Sequence, residues 1–218
     1  MTSSLCKIKR LIMELIARPY DAALGKTRVI ARLAAVGAPV VPHVLRAMSG
    51  PFPTESHPRD IAECLLEVLQ RLAIKDPKPV IQALDKMLVK PKPDEPQTSY
   101  LIHALDRASP HRVVGVLSRG LKHRNKNLRL AAVRTLIALK SHEARQPLVE
   151  AMDDRSDWVK FEIVLAMRDN PLFRTTAVTE KLRRIANSAR IQQSWPAVSF
   201  AAREVIASLE FQANGCQP

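Results

Sequence analysis

The chain has 218 residues, and its 34 Lys and Arg against 21 Asp and Glu give a formal net charge of +13. That length suits one compact domain or a short array of repeats, and a hydrophobic content of 46% excludes disorder throughout. Aromatic residues make up only 4% and there are six glycines, which argues against a β-sandwich or barrel. The sequence also lacks a glycine-rich phosphate loop, which excludes Rossmann and P-loop enzymes and leaves an all-α chain.

The first 20 residues predict an amphipathic helix. Its apolar residues recur at helical spacing: Leu5, Ile8, Leu11, Ile12, Leu15 and Ile16. Charged side chains interrupt the stretch, so we expect a structural helix rather than a secretory signal or a membrane span. Its basic, nearly acid-free composition leaves a transit peptide as the alternative.

The three cysteines, Cys6, Cys64 and Cys216, are odd in number and widely spaced. They form no CxxC motif or Cys/His cluster, so we expect no metal site, and no cofactor motif accompanies them. A disulfide framework is not expected either, which fits a reducing compartment and predicts a cytoplasmic protein.

From residue 28 onward, helical apolar patterns alternate with short breaks that contain Pro, Asp, Asn or Ser. The predicted first helices of successive pairs cover 28–36, 61–73, 98–108, 128–139, 159–169 and 197–209. The predicted second helices cover 40–48, 79–88, 112–121, 145–152 and 176–186. Pro42 and Pro147 are expected at the starts of second helices, where the missing N–H costs nothing.

The helix pairs keep a measurable register. Leu105, Leu136 and Met167 follow one another at intervals of 31 residues, whereas Leu33, Leu72 and Leu105 are separated by 39 and 33 residues. Such a period, with two helices in each unit, is typical of an α-solenoid. We therefore predict one continuous domain over residues 1–218, with a capping helix at 1–20, repeats at 21–190, a second capping helix at 191–210 and a tail at 211–218.

The most regular repeats resemble a known family. The residues that carry the resemblance are Leu128–Val133, Leu136, Leu139, Pro147–Leu148, Ala151–Met152, Asp154, Asp157, Val159–Lys160 and Ala166–Met167. They are similar to HEAT repeats, in particular to the bacterial phycobilisome-lyase-type HEAT-like repeats, closely over residues 100–170 and more loosely over 20–100. The resemblance implies an all-α superhelix of about five to six helix pairs and a surface that binds partners.

Two enzyme families contain similar repeats, and their functional motifs can be compared with this sequence. Deoxyhypusine hydroxylases hold iron with paired His-Glu dipeptides, whereas this chain has only His142–Glu143, which we place in a hinge. Phycobilin lyases also contain these repeats, but the repeats alone do not carry the lyase activity. Neither comparison predicts a catalytic residue here.

The positive charge is concentrated in the middle of the chain. From Arg107 to His142 there is no Asp or Glu, and Arg112, Gly115, Arg119 and Lys122 share one face of a second helix. Second helices commonly line the concave side of α-solenoids, so a basic concave face is predicted. Its predicted contact residues are Arg112, Arg119, Lys122, Arg124, Lys126 and Arg129.

Two ligand classes fit a basic face of this kind. Our leading prediction is a non-enzymatic interaction or scaffold module that binds an acidic partner protein. We do not expect it to bind a membrane. The alternative is a protein that binds the phosphates of DNA or RNA. The scarcity of aromatic residues argues against a reader of single strands, which relies on base stacking.

A third alternative is enzymatic. HEAT-like alkylpurine DNA glycosylases hold DNA in a basic concave face and use Trp residues and one Asp, and this chain is similar to them in composition. Its two tryptophans are Trp158 and Trp195, and Asp153, Asp154 and Asp157 lie beside the first. Asp153 and Asp154 also suit a turn before a helix, and Trp158 suits packing between helix pairs.

Overall fold

The computed structural model describes residues 2–17, 23–50, 58–90, 95–168, 170 and 173–214. Across these ranges the chain is an all-α solenoid without strands, which confirms the predicted fold class. Its helices are α1 (Thr2–Ala17), α2 (Ala23–Val36), α3 (Val41–Met48), α4 (Pro58–Lys75), α5 (Lys78–Leu88), α6 (Glu95–His103), α7 (Pro110–Leu121), α8 (Lys126–Ala138), α9 (His142–Ala151), α10 (Asp157–Met167), α11 (Thr176–Asn187), α12 (Ala189–Ser194) and α13 (Pro196–Asn214). A short 3-10 helix, Ala38–Val40, leads into α3.

Every helix that the apolar periodicity predicts is present, although the one predicted over 98–108 ends at His103 and residues 104–107 form turns. Several begin a few residues before the predicted start, because the first turn of a helix is often polar and carries no apolar signal. The predicted tail at 211–218 overlaps the end of α13, which continues to Asn214, and residues 215–218 lie outside the described residues.

The chain divides into two compact units, Met1–Arg119 and Gly120–Pro218. In the first unit α2, α4 and α6 pack side by side as the first helices of successive pairs, and α3 packs on α5 as a second helix. The helix α1 covers α2, α3 and α4 at the amino-terminal end, in the position of the predicted capping helix. The single domain over residues 1–218 stays a prediction.

The second unit repeats this arrangement. The helices α8, α10 and α13 pack in a row, while α9 packs on α8 and α10, and α11 packs on α13. The predicted capping helix over 191–210 is wrong at its start, because the chain breaks at Trp195 and residues 189–194 form a separate short helix, α12, which lies against α11 and α13. Its six residues contain one buried apolar side chain, Ile191, which is too little to produce a periodic pattern.

The register of the sequence marks the core. Leu33, Leu72, Leu105, Leu136 and Met167 are all buried, at 3% exposure or less. Four of them lie in first helices, and Leu105 lies in the turn that follows α6. Because one helix pair cannot bury its apolar face alone, these positions become a core only when neighbouring pairs stack.

The expectation for the two prolines is half right. Pro42 lies in the first turn of α3, as predicted. Pro147 lies inside α9, because Ser141 caps the helix and moves its start to His142, ahead of the predicted position. The dipeptide His142–Glu143 therefore lies in the first turn of α9 and not in a hinge.

No single helix in the described residues has both the length and the apolar composition of a membrane span. The two helical segments Lys26–Val36 and Ala38–Met48 reach that length and composition only when they are counted together, and the chain bends by 112° between them.

Candidate functional site

The structure describes every residue of the acid-free stretch from Arg107 to His142. Carboxylates from other parts of the chain neutralise part of its positive charge. Four of its nine Lys and Arg residues form ion pairs with carboxylates that lie 25 to 36 residues away in the sequence. These pairs are Arg112 with Asp76, Arg119 with Asp85, Arg129 with Asp154, and Arg134 with Glu162. The folded surface around this stretch therefore contains acidic side chains, although the stretch itself has none.

The helix α7 has the two faces that its sequence predicts. Val113, Val116 and Leu117 are buried, and Arg112 and Arg119 are exposed on the other side. Within the first unit, the guanidinium of Arg112 lies 3.0 Å from the Asp76 carboxylate. Arg119 pairs with Asp85 in the same way, so both predicted contact residues already share their charge with a neighbouring helix pair.

Arg129 is placed differently from the other predicted contact residues. Its side chain is only 4% exposed and binds Asp154, itself 8% exposed, through two parallel bonds of 2.7 and 2.9 Å. Such a two-pronged pair is the strongest geometry available to these side chains. An Oδ atom of Asp154 also accepts a bond from the Ser156 N–H, so the buried carboxylate accepts three hydrogen bonds.

The buried pair also fixes the segment between α7 and α8. The third nitrogen of the Arg129 guanidinium donates to the backbone carbonyls of His123 and Arg124, at 3.0 Å each. Arg155 donates a further bond to the Arg124 carbonyl. The buried Arg129 side chain thus fixes the backbone of residues 123 and 124 but is not itself accessible to a ligand.

His123 and Asn125 complete this segment. The Asn125 N–H donates to Nδ1 of His123 at 3.1 Å, and the Asn125 side chain caps α8 by accepting from the Asn127 N–H at 2.8 Å. Burial lowers the pKa of His123, and the charges of Arg124 and Arg129 lower it further. The lowered pKa favours the neutral form of the ring, whose Nδ1 accepts the Asn125 bond.

The exposed cations of this segment are Lys122, Arg124 and Lys126, which we call the basic segment. Their side chains form no ion pair with any described residue. Lys122 follows the last residue of α7, and Lys126 is the first residue of α8. Of the six residues predicted from the sequence, these three are exposed without an ion pair to a described residue, and they lie within five residues of chain.

An aromatic cluster lies at the beginning of α10. The rings of Trp158 and Trp195 are stacked, with centroids 5.1 Å apart and planes inclined by 21°, and Phe161 lies 5.2 Å from Trp195. Trp158 nevertheless remains 48% exposed. The stack fixes the orientation of an indole that keeps half of its surface open to a ligand.

Asp157 ties the same region together. Its carboxylate accepts from Lys160 at 3.2 Å and from Arg190 and Ser194 at 2.9 Å each. Burial raises the pKa of Asp157, but these hydrogen bonds and the charge of Lys160 outweigh it and lower the pKa below its ordinary value. Together with the tryptophan stack, this carboxylate joins α10 to α12 and to the start of α13.

A cavity of about 290 Å³ opens beside the exposed indole. Leu130, Val159 and the Trp158 ring form its apolar lining. Its polar lining consists of Lys126, Asn127, Arg134 and Ser156. The cavity therefore shares Lys126 with the basic segment and places an apolar wall directly beside an exposed cation.

Sequence reasoning did not predict this cavity, because its wall joins residues that are about 30 positions apart. The 31-residue register does contain a usable signal, since it aligns Lys126 and Asn127 at the start of α8 with Asp157 and Trp158 at the start of α10. A second cavity, of about 350 Å³, lies in the first unit between α3 and α5, with Lys86 and Lys90 at its rim and no aromatic side chain in its lining.

The carboxylates of the enzymatic alternative are all engaged. Asp153 pairs with Lys181, Asp154 with Arg129, and Asp157 with three donors. The structure brings Trp158, Trp195 and Asp157 together, but their contacts connect helices and leave no free carboxylate for catalysis. Within the described ranges, no group of three or more His, Cys, Asp or Glu side chains is arranged to hold a metal ion.

Comparison with known proteins agrees with the repeat architecture. Residues 81–168 match the family model of HEAT repeats. No curated protein matches the chain. The match supports the prediction of a HEAT-like repeat protein and covers both the basic segment and Trp158.

Proposed function

We propose that this protein is a non-enzymatic interaction module that binds an acidic partner protein through the basic segment, Lys122, Arg124 and Lys126. HEAT-like repeats support the proposal, since solenoids of this kind expose extended surfaces that commonly bind other proteins. The observation that carries it is local: three exposed cations stand together without a described counter-charge, on a backbone held by the buried Arg129–Asp154 pair.

The buried pair gives the proposal a physical mechanism. A flexible loop would lose backbone entropy on binding, at a cost of about 1–2 kcal/mol for each residue that becomes fixed. Here the bonds from Arg129 to the carbonyls of His123 and Arg124 fix the backbone before a partner arrives. We therefore assign Arg129 a positioning role and the basic segment the contacts.

The other two predicted contact residues are assigned a smaller part. Arg112 and Arg119 would have to break or share their bonds with Asp76 and Asp85 in order to bind a partner carboxylate. Surface ion pairs contribute little free energy, so exchanging one carboxylate for another yields almost no net affinity.

The test compares two charge-matched variants. The triple substitution Lys122→Glu, Arg124→Glu and Lys126→Glu removes the basic segment. Lys140→Glu, Arg174→Glu and Arg184→Glu change the same total charge at exposed residues elsewhere in the second unit. Partners captured from nuclease-treated lysate are quantified for each protein, with polyglutamate as a competitor. We expect acidic proteins to be lost with the first variant and kept with the second; equal losses would reduce the effect to net charge.

Phosphates of DNA or RNA are the second candidate ligand, since the three cations of the basic segment attract them as well. Labelled duplex and single-stranded DNA and RNA are titrated by fluorescence anisotropy at 50 to 300 mM salt. Tight binding at physiological salt that the first variant abolishes would replace the protein partner with a nucleic acid. Binding that fades by about 150 mM salt marks a nonspecific polyanion effect.

Two finer assignments accompany the proposal. We propose that the repeats are of the bacterial phycobilisome-lyase type, on the strength of the residues between 128 and 167 that carry that resemblance. We also propose a cytoplasmic location, which rests on the odd number and wide spacing of the cysteines.

A further inference from the structure

We infer that the cavity beside Trp158 takes one apolar side chain of the acidic partner, while a neighbouring carboxylate of the same partner binds Lys126. This inference rests on the proposed function and adds the chemistry of the ligand. The partner segment would carry an aliphatic or aromatic anchor residue next to Asp or Glu.

The indole of Trp158 supplies the first argument. The indole is 48% exposed, so a partner that covers it gains binding free energy from the burial of apolar surface. The ring is held on Trp195 by a stack with centroids 5.1 Å apart, so its position is fixed before binding. Tryptophan is among the residue types enriched at the few positions that carry most of the binding energy of protein interfaces.

The cavity supplies the second argument. Its volume of about 290 Å³ lies just below the range of about 300–1,000 Å³ that is typical of small-molecule sites, which suits one side chain better than a complete cofactor. Leu130 and Val159 continue the apolar surface of the indole, and Lys126 stands at the rim without a described counter-charge. The lining thus presents an apolar wall and one cation without an ion pair to the same short segment of ligand.

Charge complementarity favours a peptide over a nucleic acid at this cavity. The other cation in its lining, Arg134, is already paired with Glu162. A nucleic-acid strand brings a phosphate with every nucleotide and would meet this carboxylate together with a single unneutralised cation. Proteins that bind single strands instead combine a continuous positive groove with several stacking rings.

The experiment uses two synthetic peptides of equal length and equal negative charge. One contains a single Phe between glutamates, and the other has Ser in its place. Binding to the 218-residue chain is measured by anisotropy and by the emission of Trp158 and Trp195, its two tryptophans. We expect the Phe peptide to bind at least about fivefold more tightly, because an apolar side chain is buried, and to shift the emission to shorter wavelength.

Two variants attribute this preference to the cavity. Trp158→Phe removes the indole but keeps an aromatic ring, and it should abolish the emission shift. Ser156→Phe fills the cavity from its rim and should reduce the preference for the Phe peptide to about one. Phe211→Ala, which removes an exposed aromatic ring that does not line the cavity, serves as the matched control and should leave the preference unchanged. Thermal unfolding checks that each variant is folded.

The possible outcomes separate the two proposals. If both peptides bind equally and the Ser156→Phe variant binds them as the wild type does, the inference is overturned while the proposed function stands. If neither peptide binds and the basic-segment variant retains all its partners, the proposed function fails and takes the inference with it. If an oligonucleotide competes and alone shifts the Trp158 emission, the cavity belongs to a nucleic-acid site.

Discussion

Arg129 shows how a residue that looks like a ligand contact in the sequence becomes a structural one. It shares the acid-free stretch with the exposed cations, and nothing in its neighbourhood of sequence distinguishes it from them. Its carboxylate partner, Asp154, lies 25 residues further on. Only the stacking of two helix pairs brings them together, so the burial of this pair could not be predicted from residue type or spacing.

The consequence for stability is testable at Asp154. Substitution Asp154→Asn leaves the Arg129 guanidinium buried without its counter-charge, which should lower the free energy of unfolding by about 3–5 kcal/mol. The neighbouring substitution Asp153→Asn is the control, since this side chain is 71% exposed and its pair with Lys181 lies at the surface. It should cost no more than about 1 kcal/mol. Urea unfolding at pH 7 distinguishes the two, and equal costs would contradict a buried, charge-dependent role.

Asp157 makes stability depend on pH with a definite sign. Its folded-state pKa lies below the unfolded value, so the stability that its charge contributes is complete above the unfolded pKa and is lost as the pH falls through the folded one. Substitution Asp157→Asn should cost about 1.5–3 kcal/mol at pH 7, because Lys160 loses a charged partner. The difference between the two proteins should shrink below pH 4 in unfolding curves. A constant difference across pH would mean that the carboxylate acts by shape and not by charge.

At the scale of the helix, capping explains where the sequence was informative and where it was not. The apolar periodicity predicts the helices of both units, because burial on one face is what makes them stable. It misplaces the start of α9, since Pro147 was read as a first-turn residue while Ser141, six residues earlier, is the cap. The short α12 escapes for the opposite reason: Ser188 caps it, but its apolar pattern is a single residue.

Two serines form a matched pair for testing the caps. The hydroxyl of Ser141 accepts from the Ala144 N–H at 3.3 Å, whereas Ser156 precedes α10 without any side-chain capping bond. Substitution Ser141→Ala should therefore lower the free energy of unfolding by about 1 kcal/mol. Ser156→Ala should change it by less than about 0.5 kcal/mol. Thermal or urea unfolding measures both, and a larger loss at Ser156 would show that its hydroxyl caps α10 in solution.

At the scale of the whole molecule, the distribution of charge along the sequence differs from its distribution in the folded structure. A stretch of 36 residues without acids, in a chain of net charge +13, predicts a broad basic face. Neighbouring helix pairs then supply carboxylates to Arg112, Arg119, Arg129 and Arg134. The sequence therefore located the region of the basic segment, but the subset of charges that remains available depends on contacts between repeats.

This divergence predicts how binding to DNA depends on salt. Affinity for duplex DNA falls with a logarithmic slope of about 0.9 for each phosphate neutralised. If the three cations of the basic segment make the contacts, affinity should fall about 40-fold between 50 and 200 mM salt. If all six residues predicted from the sequence took part, the fall would exceed about 1,000-fold.

Anisotropy titrations of a labelled duplex across this range measure the slope directly. The variant that replaces Lys122, Arg124 and Lys126 with Glu should flatten the slope, whereas the charge-matched variant at Lys140, Arg174 and Arg184 should preserve it. A slope that corresponds to six phosphates in the wild type would require Arg112, Arg119 and Arg129 to leave their carboxylates. It would show that a polyanion opens the ion pairs between repeats, and a nucleic acid would then replace the acidic protein as the ligand for which this surface is built.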